Sequence, residues 1–153
     1  MNKPSFRTFA AALAVLAAAG GSLAVAASPA DTIALRQANF KKMGGAMKVI
    51  KDELAGSANK AKMAGAAKTI AAMARAQGPL FPNGTGPSAG KTDALPAIWS
   101  QRPTFDGHAK KLIAEADKLV AVAGSGNAAA VGVQFKAVGG TCSGCHKQFR
   151  ADD

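Results

Sequence analysis

The sequence predicts an all-α fold, an antiparallel four-helix bundle. Four segments place apolar residues at alternating spacings of three and four, which puts these residues on one face of a helix. No segment has the strict apolar and polar alternation of a half-buried strand. One loop rich in proline and glycine, residues 78–103, separates the second segment from the third. Connections of that length are uncommon, so we expect this crossover to span the bundle.

Two predicted helices precede the crossover. The first runs from Asp31 to Leu54, and its apolar stripe contains a single polar residue, Arg36. The second covers residues 59–77, is rich in Ala and Lys, and ends where Gly78 is followed by proline. The stripe of the first helix consists of Ile33, Arg36, Phe40, Met43, Met47, Ile50 and Leu54.

Two predicted helices follow the crossover. Thr104 is placed to cap the third helix, and Asn127 to cap the fourth. Both cysteines lie on the core-facing stripe of the fourth helix. That stripe consists of Ala128, Val131, Phe135, Val138, Cys142, Cys145 and Phe149.

Residues 1–27 have the pattern of a secretory signal peptide. Lys3 and Arg7 form a basic start, residues 10–19 form an apolar stretch of small residues, and "SLAVAAS" offers a cleavage site. The apolar stretch is too short and too rich in alanine for a stable membrane span. We therefore expect export across the inner membrane into the periplasm, and one mature domain, residues 28–153.

Composition and charge argue against two classes of function. The chain has 19 Lys and Arg residues against 9 Asp and Glu, which gives a formal net charge of +10. Its basic residues are dispersed, and it has one Trp and no Tyr, so nucleic-acid binding is not expected. The positive charge fits a solvated surface, and it also fits attraction of an acidic redox partner protein. No arrangement of catalytic acid, base and nucleophile is apparent, so an enzyme is not expected either.

The segment CSGCH near the end of the chain carries the chemistry. Cys142 and Cys145 are followed directly by His146, so all three project from one side of a helix within one turn. Two thiols so placed can add to the two vinyl groups of one porphyrin, while the imidazole reaches the iron from the same face. The pattern C-x-x-C-H is the signature of covalent haem c attachment.

Three other chemistries use the same residues. A thioredoxin-like dithiol has its C-x-x-C at a helix start after a strand, and no strand is predicted here. A zinc site wants four ligands, so it would need His108 and a carboxylate as well. A disulfide across this spacing within one helix closes a strained ring. His108 itself is expected at the surface or as a capping residue, away from the end of the bundle that holds His146.

Four further residues are candidates for contact with a haem. Phe149 and Arg150 project toward the same site as His146. Phe149 fits packing on the macrocycle or ordinary core, and Arg150 fits pairing with a propionate or a solvated, frayed chain end. Arg36 lies within an apolar stripe, so it needs an anion such as a haem propionate unless it reaches out to water. Gln37 fits support of a propionate or exposure to water.

Three segments together resemble the cytochromes c′, the class II cytochromes c. They are "LRQANFKKMGGAMKVI", "PAIW" and "VGGTCSGCHKQFR", in this order along the chain. The resemblance covers essentially all of the mature chain and implies a four-helix bundle with one covalently bound haem c near one end. It implies thioethers at Cys142 and Cys145, His146 as axial iron ligand, and basic side chains around the haem at Arg36 and Arg150. The family includes homodimers, and monomer and homodimer both stay open here.

The resemblance also concerns the side of the iron opposite His146. In the family, the residue four after the arginine of the first helix lies there, and in this chain that residue is Phe40. Phenylalanine has no donor atom, so we expect five-coordinate, high-spin iron that binds NO and CO or transfers single electrons. The alternative is a low-spin electron carrier similar to cytochrome c-556, with Met43 as sixth ligand. Trp99 either covers an edge of the haem or anchors the crossover.

Overall fold

The computed structural model describes residues 27–152 and is built from four long helices, as the sequence predicts. The crossover holds one short helix and two 3-10 turns, at Gly78–Leu80 and Pro87–Ala89. The helices are α1 (Pro29–Ala55), α2 (Lys60–Gln77), the short α3 (Ala97–Ser100), α4 (Arg102–Ser125) and α5 (Ala128–Phe149).

The all-α prediction is confirmed for the part of the chain that the structure describes. Residues 27–152 contain no strand, and their only β-type pairing is an isolated bridge between Ala94 and Arg150. Within the same residues, no helix is long and apolar enough to cross a membrane. The signal peptide predicted at residues 1–27 lies outside the described residues, apart from Ala27.

Side chains cap three of the four long helices at their starts. Ser28 caps α1 in a capping box, in which its hydroxyl accepts the Asp31 N–H at 3.1 Å. Asn59 caps α2 and Asn127 caps α5, each by accepting a backbone N–H. These bonds fix the starting points of α1, α2 and α5 close to those read from the sequence.

The start of α4 differs from the prediction. The expected cap at Thr104 is wrong, because α4 already begins at Arg102 and has no side-chain cap. Pro103 lies in its first turn, where the missing N–H removes no helical hydrogen bond. Pro103 is therefore part of the first turn of α4, and the helix starts two residues before Thr104.

The long helices pack in chain order. α1 packs on α2, α2 on α4 and α4 on α5, and a smaller contact between α1 and α5 closes the ring. Short connections at residues 56–59 and 126–127 make the helices of each pair antiparallel. It follows that α2 lies diagonally across the bundle from α5. One end of the bundle then brings together the starts of α1 and α4 and the ends of α2 and α5.

The core has two parts. The larger fills the middle of the bundle, and the smaller is a mainly aromatic cluster of Phe81, Ile98, Phe105 and Phe149 that joins the crossover to α4 and α5. Such aromatic contacts bury large apolar areas, so they hold the long crossover in place. The larger part includes Met43, Ala46, Ile50, Met63, Ala67, Ile70, Ala116, Leu119, Val131 and Val138.

A buried carboxylate organises the turn between α1 and α2. Glu53 is 8% exposed and accepts hydrogen bonds from the Ser57 hydroxyl at 2.6 Å and the Asn59 N–H at 3.0 Å. Lys62 Nζ lies 2.9 Å from the same carboxylate. The Ser57 bond, followed by those of Lys62 and Asn59, lowers the pKa of Glu53 to about 2. The turn is therefore held by an ionised Glu53.

Candidate functional site

A cavity of about 530 Å³ lies at the end of the bundle where α1 and α4 start and α2 and α5 finish. All four long helices line it, together with Gly78, Phe81, Ile98 and residues 92–94 of the crossover. Its volume is in the usual range for ligand and cofactor sites, and its walls are mainly apolar. The antiparallel packing of the helices is what brings their ends to this one place.

The structure brings Cys142, Cys145 and His146 together at this cavity. All three residues are half-buried, and the two thiols are not joined in a disulfide. Within residues 27–152, no group of three or more His, Cys, Asp or Glu side chains could hold a metal ion. The zinc site considered from the sequence therefore has no support among these residues.

Burial raises the pKa of both thiols. Desolvation is the main cause at Cys142, and desolvation followed by the charge of Cys142 raises the pKa of Cys145 to about 11. A redox-active dithiol has the opposite property, a thiol pKa lowered by a helix start or a nearby cation. Here the two thiols lie near the end of α5. Both their position and the direction of their pKa shifts argue against a redox-active dithiol at this site.

The His146 imidazole faces the Phe40 ring. The two ring centroids are 6.5 Å apart in an edge arrangement. Desolvation, and then the charge of Arg150, lower the pKa of His146. A lowered pKa favours the neutral imidazole, the form that ligates metals. The Phe40 ring centroid also lies 6.5 Å from that of Phe81, and Phe40 is 38% exposed.

Arg36 is buried, with 2% of its surface exposed, so the alternative that it reaches out to water is wrong. Its guanidinium donates to the carbonyl oxygens of Leu80 at 3.2 Å and Thr85 at 2.9 Å. It also donates to the hydroxyls of Thr85 at 3.2 Å and Thr92 at 2.9 Å. Arg36 Cζ lies 4.4 Å from the centre of the Phe81 ring. All these partners are neutral, and desolvation lowers the pKa of Arg36, so an anion in the adjoining cavity would meet a buried cation.

Gln37 and Arg150 line the cavity beside the crossover. Gln37 is exposed, and its Nε2 donates to the Lys91 carbonyl oxygen at 3.0 Å. Arg150 Nε lies 3.7 Å from the Asp93 carboxylate, and the Ala151 N–H donates to the Asp93 carbonyl oxygen at 2.8 Å. Residues 150 and 151 are therefore tied to the crossover, and the expectation of a frayed chain end at Arg150 is wrong.

Phe149 belongs to the core and to the cavity at once. It is 3% exposed, lines the cavity, and packs edge-on against Phe105 with ring centroids 5.5 Å apart. The two interpretations read from the sequence, core and cavity wall, are therefore compatible.

Trp99 does not line the cavity. Its indole N–H donates to the Pro82 carbonyl oxygen at 3.0 Å, and its ring lies against Gly86, where an added Cβ would come within 3.3 Å. The structure therefore shows Trp99 anchoring the crossover, while its cover of a haem edge stays a prediction.

The prediction that His108 lies away from His146 is wrong. His108 lines the same cavity, because the start of α4 lies beside the end of α5 in an antiparallel pair. Its ring packs edge-on against Phe149 at 5.8 Å and faces Gly144 of α5. Met43 also lines the cavity, and it is 4% exposed within the larger core.

Gln77 is a cavity residue that the sequence analysis missed. It is the last residue of α2, lines the cavity and is 4% exposed, and neither its Oε1 nor its Nε2 has a hydrogen-bond partner. A buried polar group left unpaired costs about 1–3 kcal/mol. One signal was available in the sequence, because Gln77 follows Met73 by four residues and so continues the buried stripe of α2.

Comparison with known proteins decides the family. A sequence model described as cytochrome c′ matches residues 31–150. This chain belongs to the cytochrome c′ family. The cytochrome c′ of Allochromatium vinosum is 36% identical over 145 residues, which cover 93% of this chain and 94% of the relative.

Solved structures of cytochromes c′ have the same fold. The crystal structure of cytochrome c′ from Thermochromatium tepidum superposes with a TM-score of 0.77 at 35% identity, over 82% of this chain and 98% of that one. A cytochrome c′ described as having a ligand-controlled dimer dissociation superposes with a TM-score of 0.80 at 34% identity, over 84% of this chain and 100% of that one. The prediction of a four-helix bundle of this family is thus confirmed.

Two further matches are a cytochrome c-556 and a nitric oxide complex. The cytochrome c-556 of Agrobacterium tumefaciens is 33% identical over 125 residues, which cover 79% of this chain and 98% of the relative. A nitric oxide complex of a cytochrome c′ variant from Alcaligenes xylosoxidans superposes with a TM-score of 0.75 at 24% identity, over 82% of this chain and 98% of that one. At that identity the likeness concerns the fold alone.

As a member of the cytochrome c′ family, the chain carries one covalently bound haem c. The residues at the cavity fit this group. Cys142 and Cys145 offer two thiols for thioether bonds, and His146 offers a nitrogen ligand from the same turn. Arg36 offers a buried cation to a propionate, and the mainly apolar walls suit a macrocycle.

Proposed function

We propose that this protein is a periplasmic cytochrome that binds the small diatomic gases NO and CO at five-coordinate haem iron and transfers single electrons to redox partner proteins. One observation carries the proposal: the Phe40 ring lies 6.5 Å from the His146 ring. With His146 as the protein ligand, the residue facing it has no atom that can bind iron. The haem supplies an iron with an open position, and the identity of the residue opposite the proximal histidine decides what reaches that position.

The residues around Phe40 determine which ligands enter. Phe40, Met43 and Phe81 present apolar surface to the cavity, which disfavours water and anions relative to uncharged diatomic gases. Arg36 would hold a propionate and so orient the macrocycle between α1 and α5.

Single-electron transfer and location form the second part of the proposal. The half-buried Cys142, Cys145 and His146 place the attachment site close to the surface, and the excess of basic residues favours an acidic partner protein. The signal-peptide pattern of residues 1–27 supports a periplasmic location. Cell fractionation of the full chain would test the location, and recovery of haem-loaded protein in the cytoplasm would contradict it.

A second candidate function is a low-spin electron carrier with Met43 as sixth ligand. It is favoured by the position of Met43, which lines the cavity one turn after Phe40, and by the similarity to a cytochrome c-556. In that case the iron would be saturated by protein ligands and would not bind gases.

Absorption spectroscopy of the haem-loaded protein separates the two candidates. Five-coordinate iron gives a high-spin spectrum, and the reduced protein shifts its spectrum with CO. Ligation by Met43 gives a low-spin spectrum that does not respond to CO. Phe40→Met should convert the first spectrum toward the second, whereas Phe135→Met, an exchange in the core outside the cavity lining, should not. An unchanged high-spin spectrum in Phe40→Met would contradict the placement of Phe40 beside the iron.

A further inference from the structure

The cavity wall formed by α1 and α2 carries three polar side chains. Arg36 already donates to neutral groups of the crossover, and Gln37 is exposed and donates to the Lys91 carbonyl oxygen. Gln77 differs from both. Within residues 27–152, its amide holds the only buried side-chain polar atoms that lack a hydrogen-bond partner. This wall therefore contains one hydrogen-bonding group that the protein itself leaves unused.

The position of Gln77 indicates what its partner is. Gln77 ends α2, which lies diagonally across the bundle from α5 and its His146. Ala74, on the same helix, and Met43, on the neighbouring α1, also line the cavity, and neither has a strong hydrogen-bonding side chain. The space beside Gln77 that is free to hold a partner is the cavity, which Phe40 and His146 also line.

We propose that Gln77 is the hydrogen-bonding residue of the ligand site, with Nε2–H donating to a small diatomic molecule held in the cavity. This proposal rests on the proposed gas-binding function and deepens it. Phe40 limits entry and offers no donor, whereas the Gln77 amide favours ligands that accept a hydrogen bond over those that do not. An unpaired buried amide destabilises the protein. Its presence at Gln77 is explained if the amide is needed to bind a ligand.

The test replaces Gln77 by methionine, which has a similar length and no amide, in the haem-loaded protein. Carbon monoxide is the first probe, because loss of a donor to its oxygen raises the C–O stretching frequency measured by infrared spectroscopy. We expect Gln77→Met to raise this frequency and to weaken NO binding about twofold to tenfold, the effect of one neutral hydrogen bond. Gln148→Met, an exposed glutamine of α5 that does not line the cavity, should change neither value.

Protein stability provides a readout that does not depend on gas binding. Because the Gln77 amide has no partner in the structure, Gln77→Met should raise the midpoint of urea unfolding of the apoprotein. A lowered midpoint would show that the amide is paired within the protein and would overturn the proposal. Gln77→Leu serves in place of Gln77→Met if the methionine variant does not take up haem.

The remaining outcomes separate this proposal from the proposed function. If wild-type protein binds CO and Gln77→Met leaves the C–O frequency and NO affinity unchanged, Gln77 does not contact the ligand and only this proposal is overturned. A change in reduction potential with an unchanged C–O frequency would assign the amide to the haem periphery, which also overturns it. If wild-type protein binds no CO at all, the proposed function fails, and this proposal fails with it.

Discussion

Arg36→Met removes a buried guanidinium that ties α1 to the crossover. The carbonyl oxygens of Leu80 and Thr85 lose their donors, whereas the Thr85 hydroxyl keeps its bond to the Pro82 carbonyl oxygen at 2.8 Å. A buried acceptor left unpaired costs about 1–3 kcal/mol, so two such carbonyls predict a loss of about 2–6 kcal/mol in the free energy of unfolding. Urea unfolding of the apoprotein measures this loss.

The matched control for this substitution is Arg75→Met. Arg75 is about half exposed and pairs with Asp117 on the bundle surface, so its removal should cost less than about 1 kcal/mol. If Arg36→Met destabilises the apoprotein no more than Arg75→Met does, the hydrogen bonds of Arg36 do not hold the crossover, and the reasoning is refuted.

The same variant tests the expected pairing of Arg36 with a haem propionate. A charge-assisted bond that exists only with haem present stabilises the loaded protein alone. Arg36→Met should therefore destabilise the haem-loaded protein more than the apoprotein. Equal losses in the two forms would leave Arg36 as an anchor of the crossover with no propionate partner.

Three further predictions concern residues outside the cavity lining. Because the pKa of Glu53 is lowered from 4.5 to about 2, the unfolded chain takes up its proton first as the pH falls. The free energy of unfolding should therefore decline between about pH 4.5 and about pH 2, and Glu53→Gln should remove that part of the acid dependence in urea titrations. Trp99→Phe loses the bond to Pro82 and should cost about 0.5–1.5 kcal/mol in urea unfolding while leaving the haem spectrum unchanged; an altered spectrum would contradict its assignment to the crossover. Gly126→Ala should lower the free energy of unfolding by about 1 kcal/mol or more in the same assay. Gly126 has a φ of 82°, and an added Cβ would lie 2.9 Å from Lys60 Cδ. An unchanged free energy of unfolding would show that the turn adapts to the side chain.

The helices could be predicted from the sequence because their stripes are regular and three of their caps are Ser or Asn. The haem attachment segment could be predicted because its spacing has few other uses. His108 was misplaced although the needed information was present, since antiparallel packing of α4 and α5 puts the start of one beside the end of the other. The prediction failed on the position of His108 in the bundle and not on the chemistry of its side chain.

Other features of the site could not be read from the sequence. Burial of Arg36 depends on acceptors that the crossover supplies at Leu80, Thr85 and Thr92, and no periodicity reports where a long loop folds back. The unpaired state of Gln77 is likewise a property of its neighbours, which become known only when four helices are assembled. Helical periodicity does not predict the role of a side chain that contacts a loop or faces a diagonally opposite helix.

Small residues on several helices help to leave room for the cavity at one end of the bundle. At the level of the cavity, facing helices carry small residues, Gly44 on α1, Ala74 and Gly78 near the end of α2, and Ala109 on α4. In the larger core, side chains such as Ile50, Met63 and Leu119 are fully buried. Side chains that line a cavity make fewer van der Waals contacts than side chains in a packed core. A group bound in the cavity restores these contacts and so stabilises this end of the bundle. A covalently attached haem is a permanent part of the core, and its attachment therefore completes the packing of the fold while it provides the site.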